Sequence, residues 1–251
     1  MSINDNIIIV TGASKGIGRA TALAFAREGA HVLAVARSSS LLDELAVQAS
    51  TLPAEIVAAP ADVTQREQVE AVVSLALTRY GRIDVLVNNA GVELVKPVET
   101  FTDDDYAAML DTNLKGIFLF TRAVVPSMKA QRSGLVINIA STAGLRGFAG
   151  DAVYCASKFG VVGFTEALDE ELRKFGIRVS CISPGATNTE LAKDTWSPPD
   201  DPYRPHFLQA EDVARAILYV ASQPPHVTVG QILLLPTVEP RYSPLLPLGE
   251  E

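Results

Sequence analysis

Eight residues near the N-terminus, Thr11-Gly12-Ala13-Ser14-Lys15-Gly16-Ile17-Gly18, restrict the fold of this chain more than any other stretch. Before them, residues 6–10 form an apolar, β-branched run that reads as a buried strand. After them, residues 19–28 read as a helix stopped by Gly29. A strand, a glycine turn and a helix in that order aim backbone N–H groups and a helix N-terminus at a phosphate. The glycines let the backbone take positive φ and let a ligand approach it closely. The spacing is G-x-x-x-G-x-G rather than G-x-G-x-x-G. Set directly between a strand and a helix, the turn points to dinucleotide binding through Gly12, Ser14, Lys15, Gly16, Ile17 and Gly18.

Residues 31–36 read as the second strand, which ends at Arg37-Ser38. In a βαβ dinucleotide unit this strand end faces the adenosine ribose, where an acidic residue binds the 2′-hydroxyl of NAD and repels a 2′-phosphate. Arg37 instead offers a guanidinium fork for phosphate. Hydrogen bonds to charged groups contribute roughly 1.5–3 kcal/mol. Lys15 adds a second positive charge, so NADP(H) is the expected cofactor. The alternative is a pair of ordinary solvated bases.

The alternation continues along the chain. Residues 39–50 read as helix and 54–59 as strand. Asp62 and Val63 follow, with Thr64 as the expected cap of a helix that runs to Tyr80 and ends at Gly81. Residues 83–87 form a strand that leads into Asn88-Asn89-Ala90-Gly91. Asp103 and Asp104 open a helical segment that passes Asn113, with a bend, towards Met128. Residues 134–140 are nearly all apolar, so they read as a central strand covered on both faces. That strand delivers Ser141 at its carboxyl end, where doubly wound sheets bind ligands. A helix over 151–175, a strand over 177–183 ending in Pro184-Gly185, a helix over 210–222 and a strand over 231–235 complete the pattern. The expected fold class is α/β: a single-domain, Rossmann-like, doubly wound parallel sheet with helices on both faces, spanning residues 1–236. Residues 187–207, rich in proline and carrying Trp196 and Tyr203, read either as a lid or as an irregular connection. Residues 237–251 form a proline-rich tail.

Tyr154 and Lys158 stand four residues apart in the 151–175 helix and share a face. A phenol ionises near a pKa of ~10. A fixed ammonium beside it favours the phenolate, which makes Tyr154 the candidate acid/base and Lys158 its tuning charge.

Composition excludes several classes. Net charge is −8, which argues against a nucleic-acid surface. No apolar run approaches the ~18 residues of a membrane span, and no basic n-region precedes an apolar core as in a secretory signal. Two cysteines, Cys155 and Cys181, make no disulfide framework and suit a reducing cytoplasm. The three histidines are scattered, so no metal site is expected.

Together, Thr11-Gly12-x-x-x-Gly16-x-Gly18, Asp62, Asn88-Asn89-Ala90-Gly91, Asn113, Ser141, Tyr154-x-x-x-Lys158 and Pro184-Gly185 resemble the short-chain dehydrogenase/reductase family, in its order and spacing, over residues 7–236. The resemblance implies that Tyr154 is the catalytic acid/base and that Ser141 hydrogen-bonds the substrate oxygen. It implies that Lys158 holds the nicotinamide ribose and lowers the Tyr154 pKa, and that Asn113 anchors a water linking Lys158 to solvent. Asp62 and Val63 would meet the adenine. Asn89, Ala90 and Gly91 would pack along the adenosine side, and Pro184, Gly185, Thr187 and Thr189 would border the nicotinamide. Homodimers or homotetramers are a further implication. The stretch from His226 to Gln231, followed by Pro236-Thr237, resembles the branch of 3-hydroxy acid dehydrogenases and clavulanate-type aldehyde reductases.

The leading expectation is therefore an NADP(H)-dependent enzyme interconverting a carbonyl and an alcohol on a small polar or acidic substrate. Arg146 is a candidate partner for a substrate carboxylate. A 3-oxoacyl thioester reductase, docking a carrier through Arg122, Lys129 and Arg132, and a catalytically silent NADP-binding redox sensor are the alternatives.

Overall fold

The computed structural model describes residues 3–197 and 200–238. Seven parallel strands form one sheet: β1 (Ile7–Thr11), β2 (His31–Ala36), β3 (Ile56–Pro60), β4 (Val85–Asn88), β5 (Gly134–Ile139), β6 (Ile177–Pro184) and, last in the chain, β9 (Gln231–Leu234). Their spatial order is β3-β2-β1-β4-β5-β6-β9. The order reverses between β1 and β4, and a crevice opens there at the carboxyl ends of the strands.

The strands are apolar on both faces because helices cover both. Ile8 and Val10 point into a layer with Phe25 of α1 (Gly16–Arg27), Leu42 of α2 (Ser39–Gln48) and Ile217 of α8 (Ala210–Ala221). Ile7 and Ile9 point the other way, towards Val72 of α3 (Arg66–Tyr80) and Phe120 of α5 (Gly116–Gln131). Polar groups stitch the middle of the sheet. Asn88 Nδ2 donates to Asn138 Oδ1 at 2.8 Å across β4 and β5, and Asn138 Nδ2 donates to Thr165 Oγ1 at 2.9 Å on α6 (Ala152–Leu172).

Helix α4 (Asp103–Leu110) runs into α5 through a π turn, Asp111–Lys115, where the Gly116 N–H bonds the Asp111 carbonyl. The expected bend is this widened turn. Thr64 does not cap α3. The N-cap is Gln65, and Thr64 instead donates from its N–H (2.9 Å) and its hydroxyl (2.8 Å) to Asp62 Oδ1. The 187–207 stretch is more regular than its prolines suggested. It holds the short strand β7 (Thr187–Asn188), which pairs with β8 (Leu208–Gln209), and the helix α7 (Glu190–Thr195). Pro198, Pro199 and all of the tail beyond Val238 lie outside the described residues. Among the described residues no helix is long and apolar enough to cross a membrane.

Candidate active site

The turn between β1 and α1 is held by its own backbone and by the end of β4. Gly12 and Gly16 take φ of 66° and 51°, a left-handed region that side chains with a Cβ rarely adopt. The Thr11 hydroxyl accepts the Asn89 and Ala90 N–H groups at 2.9 and 3.0 Å, and Asn89 Nδ2 donates to the Thr11 carbonyl at 3.0 Å. Thr11 and Asn89 thereby lock two strand ends together across the crevice.

A cavity of about 840 Å³ opens above this junction. At its β2 end the walls are Gly12, Ser14, Lys15, Gly16, Ile17, Arg37, Ser38, Asp62 and Val63. Neither Lys15 nor Arg37 pairs with a carboxylate among the described residues. At the β5–β6 end the walls are Ser141, Tyr154, Lys158, Pro184, Gly185, Thr187 and Thr189, with Asn89, Ala90 and Gly91 between. Gly18 and Asn113 do not line the cavity; they stand behind its wall. A glycine turn with Lys15 and Arg37 at one end, and three polar groups just past β5 and in the first two turns of α6 at the other, suits a phosphorylated dinucleotide lying across the strand ends.

Tyr154 is buried and hydrogen-bonds the Ser141 side chain. Ser141 caps a short 3₁₀ turn, Thr142–Gly144, accepting the Ala143 N–H at 3.1 Å. Lys158 Nζ donates to the Ile139 carbonyl at 3.0 Å and lies 5.6 Å from the centre of the Tyr154 ring. Asn113 is fully buried. Its Oδ1 accepts the Val92 N–H at 2.8 Å, and its Nδ2 donates to the Val92 carbonyl (2.9 Å) and to Ser157 Oγ (3.0 Å). The side-chain partners of this helical asparagine are therefore the loop after β4 and α6. Both of its amide donors are used in holding the Tyr154 helix against that loop.

The electrostatics differ from the expectation. Burial, then the charges of Glu93 and Asp151, hold the Tyr154 phenol well above its ordinary range, and the bond with Ser141 only partly opposes them. Burial lowers Lys158 to about 8, against the pull of Glu93. Burial is the first cause of the raised phenol, and Lys158 is not among the groups that govern it.

Glu93 and Asp151 also line the β5–β6 end, and no arginine does. Arg146 stacks on the Phe148 ring instead, 4.8 Å from its centre, and lies outside the cavity walls. An anionic substrate held by Arg146 does not fit this arrangement, since two carboxyls face the space it would enter. Asp151 reads in the sequence as an ordinary helix-starting aspartate, and nothing local marks Glu93 as its neighbour.

Burial and the neighbouring Asp151 raise Glu93 from 4.5 to about 7. A carboxyl raised on folding favours the folded state only while protonated, so this contribution fades as pH rises from below 4.5 through 7. Glu93→Gln is therefore expected to gain about 2–3 kcal/mol on the wild type between pH 4 and pH 8. Urea unfolding at both pH values checks this, and a difference independent of pH would refute it.

Residues 6–200 match the short chain dehydrogenase family. The chain is 38% identical over 240 residues to the 3-oxoacyl-[acyl-carrier-protein] reductase FabG of Thermotoga maritima, spanning 93% of this chain and 97% of that protein. A metagenomic short-chain oxidoreductase solved in complex with NADP superposes with a TM-score of 0.80 at 31% identity, covering 95% of this chain and all of that one (100%). The 3-ketoacyl-(acyl-carrier-protein) reductase from Brucella melitensis, complexed with NADH, superposes with a TM-score of 0.85 at 30% identity, covering 93% and 98%. Fold and site thus define an α/β oxidoreductase with its cavity at the switch of strand order. More narrowly, the chain belongs to the short-chain dehydrogenase family.

Proposed function

We propose that this protein is an NADP(H)-dependent carbonyl reductase, acting through Tyr154, Ser141 and Lys158 on a small polar substrate. The observation that carries the reading is one continuous cavity, with the glycine turn, Lys15 and Arg37 at one end and Ser141, Tyr154 and Lys158 at the other. When bound, the reduced nicotinamide supplies a hydride to the carbonyl carbon. Tyr154 then gives its phenolic proton to the carbonyl oxygen, which leaves an alcohol. A phenol held neutral by burial is in the right state for that donation. Ser141 steadies the developing charge on the same oxygen. Lys158 holds the ribose hydroxyls in this reading and returns a proton to Tyr154. Asn113 positions α6 by clamping Val92 and Ser157. We assign the described residues of 187–207 to a lid, since the Thr195 hydroxyl lies 3.2 Å from Glu93 Oε2 in the cavity wall. We further read the exposed Phe118 and Phe159 as part of a homodimer face.

NADP(H) selectivity is assigned to Arg37, with Lys15 as a second charge. Relatives named for NADP and for NADH both superpose on the chain. Arg37→Ala is expected to lower kcat/KM for NADPH about 10–100-fold, the worth of a charged hydrogen bond, with far less change for NADH. Equal losses with both cofactors would remove this role.

The similarity to the Thermotoga maritima reductase favours a second reading, reduction of a 3-oxoacyl thioester. The basic side chains that would dock a carrier are partly engaged: Lys129 and Arg132 both sit over Phe175. Nicotinamide absorbance during turnover of aldehydes, diketones, ketosteroids, 3-oxo acids and 3-oxoacyl thioesters separates the two. Dominant turnover of thioesters would replace the leading reading, and tight NADPH binding without any turnover would favour a redox sensor.

A further inference from the structure

We propose that Asp151 and Glu93 select substrates carrying a hydrogen-bond donor, an ammonium or a hydroxyl, beside the reacting carbonyl. This rests on the reductase reading above and narrows its substrate class.

Asp151 is the N-cap residue of α6, three residues before Tyr154. An aspartate there ordinarily bonds a free N–H of the first helical turn. Here its side chain makes no capping bond. It is only 8% exposed, its Oδ1 is buried without a hydrogen-bond partner, and it lines the cavity. A buried carboxyl oxygen left unpaired is costly, and its place in a native structure calls for a partner. Glu93, also 8% exposed, lines the same end from the loop after β4. Its carboxyl takes the Trp196 side chain, and its Oε2 lies 3.2 Å from the Thr195 hydroxyl, which also reaches the Leu191 carbonyl at 2.8 Å.

The charged and titratable groups around the pair are Lys158, Tyr154 and Cys155 on α6. Lys158, the one cation among them, is already bonded to the Ile139 carbonyl. Two carboxyls thus border the space beside Ser141 and Tyr154, and the charge of Asp151 disfavours ionisation of Glu93. A donor bound there meets these acceptors, whereas a carboxylate adds negative charge where burial already disfavours it.

The test is steady-state NADPH oxidation with four ketones of matched size: a protonated amino ketone, a hydroxy ketone, an unsubstituted ketone and a keto acid. Wild-type kcat/KM for at least one donor-bearing ketone is expected to exceed that for the unsubstituted one at least tenfold, with the keto acid lowest. Asp151→Asn and Glu93→Gln, which keep side-chain shape, are each expected to cut the donor-to-unsubstituted ratio at least fivefold. A larger fall for the amino ketone assigns an ammonium, and equal falls assign a hydroxyl. NADPH fluorescence titration identifies folded variants; if Asp151→Asn does not fold, Glu93→Gln decides. Turnover of the unsubstituted ketone without donor preference, or ratios unmoved in the variants, overturns the inference and leaves the reductase reading standing. No turnover of any ketone removes both.

Discussion

Tyr154→Phe is expected to lower kcat by about 10²–10⁴-fold while NADPH still binds, the range set by general acid catalysis. The substitution removes one oxygen and leaves the ring in its packing against Met109 and Val153. What it deletes is the proton donor and the hydrogen bond to Ser141. Stability should change little, because the lost bond lies at the cavity wall. Single-turnover reduction, with NADPH affinity measured separately, checks both halves. Retained turnover would move the acid role to another group, and Glu93, held near neutrality, is the one to examine next.

Gly18→Ala is expected to lose NADPH binding at least 100-fold and about 2–4 kcal/mol of stability, as overpacking against backbone does. A Cβ at Gly18 falls on the Gly12 carbonyl oxygen and lies 2.5 Å from Asn89 Nδ2. Neither can retreat cheaply, since Asn89 ties β4 to β1 through Thr11. Gly163→Ala is the matched control. It is helical, and a Cβ there meets nothing within 4 Å, so about 1 kcal/mol of added stability is expected from helix propensity. Denaturant unfolding of both variants reads the opposite signs directly. Equal effects would mean that Gly18 has room the structure does not show.

Most of the fold was legible because its signals are local. Apolar runs bounded by Gly29 and Gly81 mark strands and helices within about three residues of their observed ends, whatever the rest of the chain does. The residues lining the cavity were legible for a related reason: they sit at strand ends, where parallel topology gathers them. What escaped the sequence depends on distant groups. Lys158 was expected to lower the Tyr154 pKa from four residues away, but desolvation and the charges of Glu93 and Asp151 act more strongly. Thr64 was expected to cap a helix, and Asp62 captured its hydroxyl. Asp151 has the position of a cap, yet its side chain serves the cavity wall. Helix α7 hid among prolines, although Thr189 marks its start by accepting the Ala192 N–H at 3.4 Å.

The widened turn at 111–115 has a consequence for how this chain can vary. One residue more than an α-helix requires is stored between α4 and α5. It acts as a phase joint: the angular setting of α4, which brings Ala108 to the cavity, is uncoupled from that of α5, which carries Leu119, Phe120 and Val124 into the core. Substitutions that rotate α4 to reshape the cavity need not disturb the core stripe behind it. Removing a single residue from the turn would instead swing Asn113 by about a third of a revolution and release α6 from the loop after β4.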